Sequence, residues 1–185
     1  PVLSADISAD GSSYHFERSF ETPALSIGTL LSLHAEARYF TNEGDQLGRG
    51  PLPPRVGEET KYWVLVNISN TSSRVRDLSF SAKIPNYVKW TGRSSVSKGQ
   101  NFLFDDANRL VAWTLASLDP YESVGLYMEL GLTPTQSQKG STPVLLTDIT
   151  SNGTDDYISS PISLSISSVD SSLKADKKAQ EKGVA

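Results

Sequence analysis

The sequence contains no cysteine, and that absence excludes disulfide scaffolds, thiolate zinc sites, iron–sulfur clusters and cysteine nucleophiles together. It leaves the compartment open, because an oxidising environment permits disulfides without requiring them. Long apolar runs are missing as well. A bilayer-spanning helix needs roughly 18 to 20 apolar residues, and the hydrophobic stretches here last only a few, so no membrane insertion is expected within this chain. Positive charge is not in excess: 17 Lys and Arg stand against 21 Asp and Glu, a formal net charge of −4. No basic field is available for a phosphate backbone, which excludes general nucleic-acid binding. Histidines number only two, and no G-x-S-x-G elbow, HExxH, P-loop or GxGxxG occurs. Pro1 to Asp6 shows neither the basic nor the apolar region of a signal peptide, so any leader is expected outside this segment.

What is present is alternation. Leu25, Ile27, Leu31, Leu33, Ala35, Ala37 and Tyr39 share one parity, while Ser26, Ser32, His34, Glu36 and Arg38 share the other. A half-buried strand has this period of two and a helix does not. The pattern recurs at Tyr62, Val64, Val66 and Ile68, at Leu78, Phe80, Ala82 and Ile84, and at Val124, Leu126, Met128, Leu130 and Leu132. Near the end Ile158, Ile162, Leu164 and Ile166 alternate with Ser159, Ser163, Ser165 and Ser167. Shorter strands are expected around Phe102 to Phe104, Leu110 to Leu115 and Val144 to Ile149. Turn signals separate these runs at Asn42 to Asp45, Gly48 to Pro54, Asn70 to Ser73, Thr91-Gly92, Asp105 to Asn108, Asp119-Pro120 and Ser151 to Gly153. The fold expected is all-β, an immunoglobulin-like two-sheet antiparallel sandwich.

The sandwich is expected over residues 24–170. Before it, in residues 1–23, Tyr14, Phe16 and Phe20 alternate with polar residues and Pro23 then interrupts. This segment reads as the end strand of a preceding domain or as an extra edge strand, with the first reading preferred. Residues 171–185 read as a polar, charged tail or linker, with four lysines from Leu173 onward.

Candidate site residues are few. His15 and His34 fall on the polar parity of their strands, where surface histidines belong. Asp105 to Asn108 and Asn152 to Asp156 contain oxygens of the type calcium takes, although Asp and Asn in such runs favour tight turns and the turn reading is preferred. Trp63, Trp90 and Trp113 invite stacking on sugars, but core packing or strand-edge cover is the preferred reading for all three, because a sandwich needs large side chains between its sheets. Sequons occur at Asn67, Asn70 and Asn152. The Gly48 to Pro54 run gives up amide donors at its prolines and reads as an extended crossing between strands. No catalytic, cofactor-binding or metal-ligating residue is assigned, no cofactor is expected, and the ligand-binding residues remain open.

The run Val56 to Thr71, with Gly57, Tyr62, Val64, Val66 and Asn67, resembles the G-x-x-x-x-Y-x-V-x-V-x-N-x opening of the conserved repeat domain of bacterial and archaeal surface proteins. Ala82 to Pro85, Val88 to Gly92, Val111 to Leu118 and Met128 to Thr135 resemble that family's later strands in order and spacing, across about residues 25–168. Ala116 stands where the pattern often has Gly, and Arg49 to Pro54 is longer than a minimal member needs. The Gly48 to Glu58 run looks like uncharacterised repeat proteins of small-genome, uncultured bacteria. The resemblance implies an immunoglobulin-like, extracellular, non-enzymatic stalk, spacer or adhesion element, whose partners are neighbouring domains of the same parent chain and a surface protein or glycan. The alternative function is a carbohydrate-binding module.

Overall fold

The computed structural model describes residues 2–21, 26–180 and 182–185. The strands are β1 (Val2–Ala9), β2 (Ser12–Ser19), β3 (Leu31–Arg38), β4 (Thr60–Asn70), β5 (Val75–Lys83), β6 (Val88–Val96), β7 (Leu103–Asp105), β8 (Leu110–Leu118), β9 (Ser123–Leu132), β10 (Val144–Asp155) and β11 (Pro161–Asp170). Nine of them make two antiparallel sheets, a four-stranded one in the order β3-β4-β9-β6 and a five-stranded one in the order β11-β10-β5-β8-β7. No helix among the described residues is long and apolar enough to cross a membrane.

Side-chain parity decides which face of each strand turns inward. On β4, Tyr62, Val64, Val66 and Ile68 are buried, and on β9 so are Val124, Leu126, Met128, Leu130 and Leu132. The two strands pair in continuous register from Thr60↔Leu132 to Ser69↔Ser123, so the two apolar rows lie side by side. Leu78, Phe80 and Ala82 of β5 with Val111 and Trp113 of β8 meet them from the other sheet. This is the inward half of a sandwich core. Ser163, Ser165 and Ser167 of β11 point outward, as their parity predicts.

Several expected boundaries move. Leu25 and the Pro23 interruption lie outside the described residues; β3 begins at Leu31, and Ile27 and Leu30 before it are exposed. Ile158 lies in the connection ahead of β11 rather than within a strand. Ser151 to Gly153, expected as a turn, runs inside β10 instead. Gly153 is there for a close approach: a Cβ built on it would stand 2.6 Å from Cγ1 of Val75 on the neighbouring strand. Thr91-Gly92 likewise stays within β6, at a bulge where the register with β9 shifts between Trp90 and Ser94.

Residues 1–23 contain two strands where one was expected. β1 and β2 close a hairpin, from Val2↔Ser19 to Ala9↔Ser12, and belong to no other sheet. The charged composition of residues 171–185 predicts a loose tail, yet Leu173, Asp176 and Ala179 are buried against the sandwich. The Asp176 carboxylate accepts the backbone N–H groups of Tyr39 and Phe40 at 2.8 and 2.7 Å, and those of Lys178 and Ala179. Lys178 donates to the Gly44 carbonyl at 2.8 Å. The lysines thus face solvent while an apolar and acidic minority anchors the segment.

Asn70, at the end of β4, does equivalent work at the opposite end of that strand. Its buried amide nitrogen donates to the carbonyls of Ser73, Leu118 and Asp119, and its oxygen accepts from Thr29 and Thr71. Asn70→Ala is expected to lower the unfolding free energy by about 3 kcal/mol, because buried carbonyls lose their donor. Urea denaturation measures this; a loss below about 1 kcal/mol would show that water takes over the amide's role.

Candidate functional site

The structure separates the sequence candidates. His15 stands on the polar face of the hairpin, Nδ1 2.5 Å from Asp6 Oδ1, and His34 points outward from β3, Nε2 3.1 Å from Glu36 Oε2. They are on different sheets and share no partner. Burial pushes the Glu36 carboxyl up, but hydrogen bonds from Arg38 and His34 outweigh it and hold the group below its ordinary range. A groove of about 250 Å³ passes between β3 and the end of β11 with the residues that follow it, lined in part by His34, Glu36, Asp170 and Lys174. The Glu36 carboxylate is bonded by Arg38 and His34, and Asp170 accepts the backbone N–H and the hydroxyl of Ser172, so both carboxylates of the groove are held by neighbouring residues.

The acidic runs are occupied by their own chain. Asp105 accepts both the backbone N–H and the side-chain amide of Asn108, and these bonds hold its carboxyl below the usual value. Asp155 is buried, its oxygens accepting the N–H groups of Thr29, Tyr157 and Ile158 and the hydroxyl of Ser73. Among the described residues no three or more His, Cys, Asp or Glu side chains gather where they could hold a metal ion.

The three tryptophans take three different places. Trp113 is in the core. Trp90 closes the sandwich edge, stacked on Phe104 at 5.5 Å and edge-on to Phe102 at 6.0 Å. Only Trp63 lies on the outer face of the four-stranded sheet, because its parity on β4 is opposite to that of Tyr62 and Val64. Of the sequons, Asn67 is exposed, Asn70 is buried as described, and Asn152 lies within β10 with its Oδ1 accepting from Ser163.

Around Trp63 the pairing of strands assembles residues the sequence does not mark. Arg38 on β3 and Glu129 on β9 are its cross-strand neighbours, and Leu65↔Tyr127 is the next outward-facing pair. Glu129 is buried despite facing outward, its side chain only 1% exposed; Oε2 accepts from Arg93 at 3.0 Å, while Oε1 has no hydrogen-bond partner. The Arg93 guanidinium sits 5.8 Å from the centre of the Trp63 ring. Tyr127 lies back along its strand over Gly125, where a Cβ would meet the phenol oxygen at 2.3 Å. Glu129 and Tyr127 carry one sequence signal, a polar parity on an otherwise apolar strand. What they face is set by β4 and β6.

This architecture is an immunoglobulin-like β-sandwich of the class present in bacterial pilin subunits. Two structures of BcpA, the major pilin subunit of Bacillus cereus, match 88% of this chain and 51% of their own, with 11% identity and TM-scores of 0.50 and 0.51. The full-length major pilin SpaD of Corynebacterium diphtheriae matches 75% of this chain and 34% of its own, with 9% identity and a TM-score of 0.44. This chain therefore spans about half the length of the BcpA chains. At such identities the likeness is one of fold. No family model matches the sequence, and no curated protein matches it.

Burial acts to raise the Asp155 carboxyl, but its four hydrogen bonds prevail and leave it below the ordinary value. A group depressed in the folded state stabilises fully above its unfolded pKa, about 3.9 for Asp, and loses that contribution as pH falls through the folded value. The melting temperature of Asp155→Asn is therefore expected to fall less steeply than wild type between about pH 5 and pH 2. Parallel curves would place the acid sensitivity in other carboxylates.

Proposed function

We propose that this chain is a non-catalytic structural or adhesive module of a larger protein exposed on a microbial cell surface, working as a stalk, spacer or contact domain. The observation that carries this reading is the sandwich it shares with a pilin subunit over 88% of its own length and only 51% of the pilin's. The site geometry agrees with it, since both histidines and the carboxylates of Asp6, Glu36 and Asp155 engage local partners. Membership of the conserved surface-protein repeat family belongs to the same proposal and rests on the strand motifs from Val56 to Thr135. Immunolabelling of intact, unpermeabilised cells expressing the tagged parent gene is expected to stain the surface, with the epitope lost on protease shaving. A signal confined to the cytosolic fraction would overturn the reading.

Residues 1–23 fit this picture as the end of a preceding domain. The hairpin is amphipathic: Leu3, Ala5, Ile7, Tyr14 and Phe16 share one face and Ser4, Asp6, His15 and Glu17 the other. The apolar face is open, with Leu3 and Phe16 66% and 60% exposed. Two strands alone are marginal in water and need a third strand or a cover. Hydrogen exchange on the parent protein is expected to show the β1 and β2 amides protected, and to show them exchanging freely in the isolated segment 1–185. Free exchange in both would rule out a covering domain.

A further inference from the structure

We propose that the outer face of the four-stranded sheet, centred on Trp63, Tyr127 and Glu129, is a binding site for a neutral saccharide. The inference goes beyond the role of a surface module and stands independently of where the parent protein resides. Saccharide recognition combines an aromatic surface against the C–H side of a sugar ring with polar groups that hold its hydroxyls. Trp63 and Tyr127 meet the first need. They are diagonal neighbours on paired strands, so their attachment points are about 7–8 Å apart, and Tyr127 lies down on the sheet because Gly125 leaves it room.

Glu129 meets the second need and is the observation that points to a ligand. A buried carboxylate oxygen without a donor is costly, and Glu129 Oε1 has none. The hydroxyl of a sugar ring seated on Trp63 supplies that donor when the Arg93 side chain, itself 54% exposed, moves off the indole while keeping its bond to Oε2. Charge on the face indicates a neutral ligand. The cations around Trp63 have carboxylates of their own, Arg38 with Glu36, Lys61 with Glu59 and Arg93 with Glu129, while exposed Lys89 on β6 has no carboxylate partner among the described residues. Beyond Leu65, which shares the outward row with Trp63, the residues Asn67, Ser69 and Ser95 are short and polar, suited to sugar hydroxyls. Trp90 and Trp113, packed at the edge and in the core, take no part.

Isothermal titration of the intact chain with cellohexaose, xylohexaose, laminarihexaose and chitohexaose tests this. At least one is expected to bind, and Trp63→Ala, Tyr127→Ala and Glu129→Gln are each expected to weaken it about ten-fold or more. Leu103→Ala, on the exposed edge strand of the other sheet, is expected to leave binding unchanged. Thermal melts identify any variant that fails to fold, and the three substitutions on one face allow the folded ones to decide. The proposal is overturned if none of the four oligosaccharides binds, if binding survives in every folded face variant, or if sedimentation shows the wild-type chain dimeric and the folded face variants monomeric.

Discussion

The sandwich is arranged around the pairing of β4 with β9. Their ladder runs without a bulge from Thr60↔Leu132 to Ser69↔Ser123, and both strands are flanked on each side by another strand. Because side chains alternate with a period of two, a slip of one residue would turn Tyr62 to Ile68 outward and Trp63 inward. The buried rows from the two strands make that slip prohibitive, as each fully buried aliphatic side chain contributes about 1.5–3 kcal/mol. The same register that builds the core therefore sets Trp63 beside Glu129 on the outside. The inner face determines the fold, and the outer face follows at no further cost in specification.

Sheet pairing alone would leave the ends of the sandwich loose, and three polar side chains close them. Asn70 ties the end of β4 to the segment after β8, and Asp155 ties the end of β10 to Thr29 and Ser73. Asp176 ties the last segment to the residues after β3. Each binds backbone groups that would otherwise be buried unpaired, which is the costly state for a peptide N–H or carbonyl. Each is also an Asn or Asp in a stretch whose composition reads as turn or tail. The residue type that signals a solvated loop is here the one that satisfies buried backbone.

Legibility follows the same division. The strands rich in alternating aliphatics, β4, β5 and β9, were readable because their period of two is a local property of the chain. Gly153 misled because a glycine that makes room for Val75 and a glycine that turns the chain look alike until the neighbouring strand is known. The hairpin was half legible: Tyr14 and Phe16 alternate visibly, whereas Val2 to Ala9, with small and polar residues between its aliphatics, carries a weaker signal. In the candidate site, Trp63 was visible from composition and its outward parity from its strand. Tyr127, Arg93 and Glu129 were not, because the property that joins them is a cross-strand neighbourhood.

The sequence by itself determined the class of fold, the inward face of the main strands and the exclusion of thiolate chemistry. These depend on composition and on periodicity within single segments, which the covalent chain already contains. Tertiary structure decided the sheet order, the packing of residues 171–185, the destinies of the three tryptophans and the meeting of Trp63, Tyr127 and Glu129. Those are contacts between residues far apart in the chain, and they are settled only when the β4–β9 register commits every side chain to one face or the other.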